Sequence, residues 1–204
     1  MANRKYEQRL RAEAAQETRR RILDAVYDLL RAAPGQPISV DGVARAARVA
    51  RSTVYLIFGS RAGLFDEVAR DVLIRGGFAR VTEAVAHPDA REHLRGALRA
   101  GAEMYAAYRD VHRVLFSTAA LDPEATAGAM RRADEGRAGG MAYLAQRLAE
   151  QGLLRPDVTV DDAAHVLYLM TGFDAFDALY TGRGLPVDEV ARLMVTTAER
   201  AVCR

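Results

Sequence analysis

SVDGVARAARVARSTVYLIFGSRAGLF, residues 39–65, reads as two short helices, a tight turn between them and the start of a longer third. Ser39 precedes Val40, Val43, Ala44 and Ala47, a spacing that draws one apolar stripe along a short helix. A serine there accepts a bond from a free amide of the first turn. Ala44 and Ala47 are small and let a second helix approach closely. Val49, Val54 and Phe58 point at the same core, which leaves Arg51, Ser52, Thr53, Tyr55 and Leu56 on the outer face. Gly59 and Ser60 interrupt the chain, and Arg61 opens the longer helix with Leu64, Phe65 and Val68 inward. An outer face of this composition suits a helix laid in the major groove of DNA by a supporting partner helix.

The stretch resembles the DNA-binding domain of the TetR family of bacterial transcriptional repressors. The matching residues are Val43, Ala44, Ala47, Val49, Thr53, Tyr55, Phe58, Ser60, Arg61, Leu64 and Phe65, with Thr18, Ile22, Ala25 and Leu29 in the preceding helix. The motif covers about the first third of the chain. Two positions depart from it: Arg48 stands where a turn glycine is usual, and Ala50 where a serine or threonine cap is usual. A side chain in a left-handed turn costs about 1 kcal/mol, and a missing cap roughly 0.5–2 kcal/mol. By this resemblance Ser39, Arg51, Ser52, Thr53, Tyr55 and Arg61 are the expected DNA-binding residues.

Charge is distributed as this reading requires. The whole chain of 204 residues carries +2, yet residues 1–60 hold eleven basic and six acidic side chains, giving +5, and the remainder −3. Arg4, Lys5 and Arg9 have the makings of an arm that follows phosphates, whereas Arg19 to Arg21 read as a solvated helix face. No apolar run reaches membrane-spanning length, and the N-terminus is too polar for a secretory signal. Cys203 is the sole cysteine, which excludes an intrachain disulfide and points to a cytoplasmic setting.

The rest reads as helices joined by short connections: 14–32 stopped by Pro34-Gly35, 61–86 with a weak point at Gly76-Gly77, 89–109, 111–119, one from Asp122-Pro123 to Gln151, 160–180 and 186–202. With the two short helices this makes an all-α chain of about nine helices. The expected division is a helix-turn-helix domain over 17–70 and a ligand-binding and dimerisation domain over 71–204.

Two late stripes carry a dimerisation signal. Val166, Leu169, Phe173, Phe176 and Tyr180 recur at three- and four-residue steps, as do Val187, Val190, Leu193, Met194 and Ala198. The resemblance implies a homodimer whose last two helices pack against their copies, and an inducer cavity among the middle helices. Met104, Tyr105, Tyr108, His112 and Phe116 mix apolar bulk with polar tips, and Tyr143, Tyr168 and Asp174 are expected on the opposite wall. Asp174 and Asp177 stand among aromatic residues, where an unpaired buried carboxylate is costly.

An enzyme is the competing class. His87, His93, His112 and His165 lack metal-ligand spacing, and no glycine-rich phosphate loop or nucleophile elbow occurs, so no cofactor and no metal are expected. The sequence therefore points to a repressor that binds a palindromic double-stranded operator as a homodimer and is released by a small-molecule inducer. The alternatives are an activator, a regulator without ligand response, and a helical enzyme using the central cavity.

Overall fold

The computed structural model describes the backbone of every residue except Met1, Pro34, Gly35 and Asp122, and the side chains of residues 6–33, 36–117, 128 and 130–204. The expected helix stop at Pro34-Gly35, the expected start at Asp122 and the side chains of Arg4 and Lys5 lie outside the described residues. The described residues form eleven helices: α1 Ala2–Ala32, α2 Val40–Ala46, α3 Arg51–Phe58, α4 Arg61–Gly76, α5 Phe78–Val85, α6 Ala90–Ala107, α7 Arg109–Leu121, α8 Pro123–Glu150, α9 Val160–Met170, α10 Phe173–Tyr180 and α11 Val187–Val202. Among the described residues the β-type pairing is one isolated bridge, Leu154 with Cys203.

Eleven helices replace the expected nine because two long ones are interrupted. Gly77 takes φ 92°, a left-handed conformation that ends α4 and lets α5 start in a new direction. Thr171 and Gly172 separate α9 from α10. The first helix starts twelve residues earlier than expected, at Ala2 rather than Ala14. Residues 6–17 of it are exposed on every side, so helix-forming composition and pairs such as Arg9–Glu13 at 3.1 Å sustain it rather than packing.

The chain divides into two compact units. One comprises Met1–Ala69 with Arg113–Ala129, the other Arg70–His112 with Met130–Arg204. In the first, Ile22, Val26 and Leu30 of α1 and Val43, Val54 and Phe65 of α2 to α4 are almost wholly removed from water. The joint between α2 and α3 is closed by its own backbone. Val49 N–H donates to Ala44 O at 2.9 Å and Arg48 N–H to Arg45 O at 3.2 Å, with Arg48 left-handed at φ 54°. This pair of bonds satisfies carbonyls that the end of α2 would otherwise leave open. Ala50 starts α3 without a side-chain cap. Between α3 and α4, Ser60 Oγ accepts from Gly63 N–H at 2.9 Å. A Cβ at Gly63 would lie 2.2 Å from Phe58 O, so only glycine fits that close approach.

The second unit is built around α6, α8, α9, α10 and α11, whose inward faces meet in one apolar cluster. Asp89 caps α6 by accepting from the amides of Arg91 and Glu92, and Thr159 with Asp162 forms a capping box at α9. Arg147 of α8 donates to the carbonyls of Val85, His87 and Pro88, at 3.2, 2.7 and 2.7 Å, and so satisfies the open end of α5 and the turn after it. Within the core lies a cluster of rings. Tyr105 meets His112 edge-on at 5.1 Å and Phe173 at 5.4 Å, and Phe176 stacks on Tyr180 at 5.0 Å. Phe173, Phe176 and Met194 are 3%, 0% and 2% exposed, which assigns most of both late stripes to the protomer's own core.

Substitutions at the two turns should act in opposite directions. Arg48→Gly relieves a left-handed arginine and should raise stability by up to about 1 kcal/mol in denaturant unfolding. Gly63→Ala should lower it by more than about 2 kcal/mol, because a backbone oxygen stands where the methyl must go.

Burial also predicts a pH response. Desolvation pushes His112 down to about 4, against a weaker opposing pull from Asp110; desolvation, and then the Arg147 charge, pushes His93 to about 4. The unfolded chain binds these protons near 6.5 and the folded chain only near 4, so stability is full above about 6.5 and falls as pH drops towards 4. The loss should be up to about 3 kcal/mol per histidine. His112→Phe should remove its share of the slope between pH 6.5 and 4 in unfolding titrations.

Candidate functional site

The face carried by α2 and α3 is set by three local features. Ser39 accepts from Gly42 N–H at 3.0 Å and fixes where α2 begins. The closed turn at Arg48 sets the direction of α3. Val54, 1% exposed, ties the inner side of α3 to the core and turns Arg51, Ser52, Tyr55 and Leu56 outward.

Arg51 is the first residue of α3 and the hub of this face. Its Nη1 donates to both carboxylate oxygens of Asp41, at 3.2 and 3.0 Å, and its Nη2 to the Tyr55 hydroxyl at 3.3 Å. The guanidinium also lies 5.5 Å from the Tyr55 ring centroid. The Tyr55 hydroxyl, then Asp41, hold its pKa above the usual arginine value. A pair as exposed as Arg51–Asp41 is screened by water and contributes little to folding, so Arg51 can leave Asp41 for a stronger anion.

Arg61, at the start of α4, is half-buried. Its Nε donates to Ile38 O at 3.3 Å and its guanidinium lies 5.4 Å from the Phe65 ring centroid. Arg51, Tyr55, Arg61 and Ser39 share a cleft of about 400 Å³ with Pro37, Ile38, Val40 and Asp41. Four of the six residues expected to touch DNA thus meet at one cleft. Ser52 lies on the open face of α3, and Thr53 is half-buried beside it. Sequence reasoning missed Asp41 as the partner of Arg51. The two are ten residues apart on successive helices, and no helical period links them. Arg19 also differs from expectation: it pairs with Glu67 at 2.6 Å and lies 5.0 Å from the Phe58 ring centroid.

The residues expected to hold a ligand are not all brought together. Met104, Tyr105 and His112 are buried in the second unit, with Tyr108 half-buried at the end of α6. Tyr168 is half-buried, its hydroxyl donating to Asp134 at 2.8 Å beneath the Arg137 guanidinium. Tyr143, in contrast, is 53% exposed, because Leu144, Ala145 and Leu148 take the inward face of α8. Asp174 is exposed on the outer side of α10, where its carboxylate stays hydrated. Phe116 is 36% exposed and falls in the first unit. Asp177 is the buried carboxylate: it accepts from Arg109 Nε and Nη2 at 2.6 and 3.1 Å and from the Thr181 hydroxyl at 2.6 Å. His112 Nε2 is buried with no hydrogen-bond partner among the described residues. Among those residues no cluster of three or more His, Cys, Asp and Glu has the arrangement to hold a metal ion, and no helix is long and apolar enough to cross a membrane.

Residues 22–68 match the family model of bacterial regulatory proteins, tetR family. Several solved structures resemble the whole chain. NalD, the secondary repressor of the MexAB-OprM multidrug efflux pump in Pseudomonas aeruginosa, is 24% identical over 94% of this chain and 98% of its own, with a TM-score of 0.73. A TetR-like transcriptional regulator from Rhodococcus sp. RHA1 is 22% identical over 90% of this chain and 94% of its own, with a TM-score of 0.67. The ketosteroid transcriptional regulator KstR2 of Mycobacterium tuberculosis is 19% identical over 91% of this chain and 95% of its own, with a TM-score of 0.63. At these identities the likeness establishes the fold. No curated protein matches the sequence significantly. Over the helix-turn-helix, residues 22–68, the chain thus matches bacterial regulatory proteins of the tetR family, and as a whole it shares the all-helical fold of these solved regulators.

Proposed function

We propose that the chain is a cytoplasmic repressor that binds a palindromic operator as a homodimer and is released by a small molecule. The observation that carries this reading is the cleft where Arg51, Arg61, Tyr55 and Ser39 meet beside the open face of α3. Two cations, a phenol and a hydroxyl, set on short rigid helices, form a surface suited to phosphates and base edges. Arg51, Ser52 and Thr53 approach base edges or nearby phosphates, Tyr55 and Arg61 hold phosphates, and Ser39 positions the start of α2. The DNA-binding domain spans 17–70 and the ligand-binding and dimerisation domain 71–204.

The ring cluster of the second domain supports ligand response. Met104, Tyr105, Tyr108 and His112 supply apolar bulk with polar tips, and Tyr168 stands nearby in the chain's later helices. The His112 nitrogen without a partner leaves one buried polar group for a ligand to satisfy. An amphipathic or aromatic molecule suits this composition. One solved relative is a ketosteroid transcriptional regulator, so steroid-like molecules belong in a first screen. Dimerisation runs through α9 to α11, where Leu169 is left 71% exposed. The two-fold axis of such a dimer pairs two copies of α3 with the two halves of a palindrome. α4, Arg61–Gly76, carries residues of both domains and links ligand to DNA.

Two arginine variants test the DNA surface on an operator selected from random duplexes. Arg51→Ala should weaken binding roughly 10- to 100-fold and relax specificity at one base position in each half-site. Arg61→Ala should weaken all sequences alike and reduce the salt slope by about one unit. Unchanged binding in both variants would remove α3 from the reading surface.

Linkage tests the inducer. A molecule that raises the melting temperature should weaken operator binding, and operator should weaken binding of that molecule by the same factor. Independent binding of the two favours a regulator without ligand response. Chemical turnover of the molecule favours an enzyme.

A further inference from the structure

We infer that Leu56 is a specificity-determining residue that reads the methyl group of a thymine in the major groove. The inference rests on the DNA-binding reading above and adds a base identity to it. Leu56 is 86% exposed, more than any other large apolar side chain among the described residues. It stands in the middle of α3, four residues after Ser52 and next to Tyr55, on the side turned away from the core. The packing of the chain does not call for it. Val54 fills the inner position at 1% exposure, with Ile57 and Phe58 half-buried beside it. At Leu56 any polar residue would serve the folded chain as well or better.

Its surroundings indicate what covers it. The same face carries the Arg51 charge and the exposed Ser52 hydroxyl, and Arg61 lies across the adjoining cleft. A cationic rim fits a polyanion. The major groove of DNA presents one apolar group to such a face, the C5 methyl of thymine, and aliphatic or small side chains read it by contact. Arg51 and Leu56 are five residues apart, about 7.5 Å along a helix, or roughly two base-pair steps. The thymine should therefore lie about two base pairs from the point that Arg51 grips.

Deoxyuridine tests this directly, since it differs from thymidine only by the missing methyl. Full-length protein selects an operator from random duplexes. Each thymine is then replaced in turn by deoxyuridine, and binding is measured at fixed salt for wild type and Leu56→Ala. At one position in each half-site, wild type should lose about fourfold per methyl, the equivalent of about 0.8 kcal/mol per buried carbon. Leu56→Ala should bind the thymine and deoxyuridine duplexes alike, and should bind a non-specific duplex as wild type does, because the side chain lies outside the core. Wild-type binding insensitive to every replacement would overturn the inference. So would an undiminished deoxyuridine penalty in Leu56→Ala, which would mean that Leu56 serves another contact. Failure to select any duplex would appear before a thymine is replaced, and would mark the failure of the DNA-binding reading itself.

Discussion

Two backbone bonds at the end of α2, Val49 to Ala44 and Arg48 to Arg45, hold the turn on which the working face depends. They close only if residue 48 adopts a left-handed conformation, and it does so as arginine at φ 54°. The strain this implies, about 1 kcal/mol, is small beside the burial of Val43, Val54 and Phe65 that the turn permits. The core decides the contest, and the turn follows. Once α3 is aimed, its first residue, Arg51, arrives beside Asp41 at the start of α2 and beside the cleft bounded by Arg61.

The polar contacts of the two units differ in what they can do. Around α3 they are exposed and exchangeable: Arg51 is held by a carboxylate and a phenol that water already reaches. In the second unit the Arg109–Asp177 pair is anchored at two points and buried on the Asp177 side, which makes loss of either partner costly. Arg147 likewise spans three carbonyl groups at the end of α5. The first arrangement suits a surface that trades partners. The second suits a scaffold that keeps its shape around the ring cluster of Tyr105, His112 and Phe173.

Features set by near neighbours were legible in the sequence. The stripe Val40, Val43, Ala44, Ala47 and the break at Gly77 follow from a few adjacent residues, and the family resemblance marked the irregular turn at Arg48 and the uncapped start at Ala50. Long-range partners were not. Arg109 meets Asp177 across 68 residues and Arg147 reaches His87 across 60, distances over which no periodicity speaks. The same limit explains Tyr143 and Asp174. Their residue types suit a ligand wall, but the inward faces of α8 and α10 are occupied by Leu144, Leu148, Phe173 and Phe176. The late stripes are ambiguous for a related reason: an apolar period tells that a face is covered, not whether its own chain or a second copy covers it.

Amide hydrogen exchange with and without a selected operator duplex tests the proposal that the α2–α3 face meets DNA. Added protection should concentrate in residues 39–61 and be greatest around Arg51 to Tyr55. Unchanged exchange across 39–61, with protection instead in α6, α9 or α10, would contradict it.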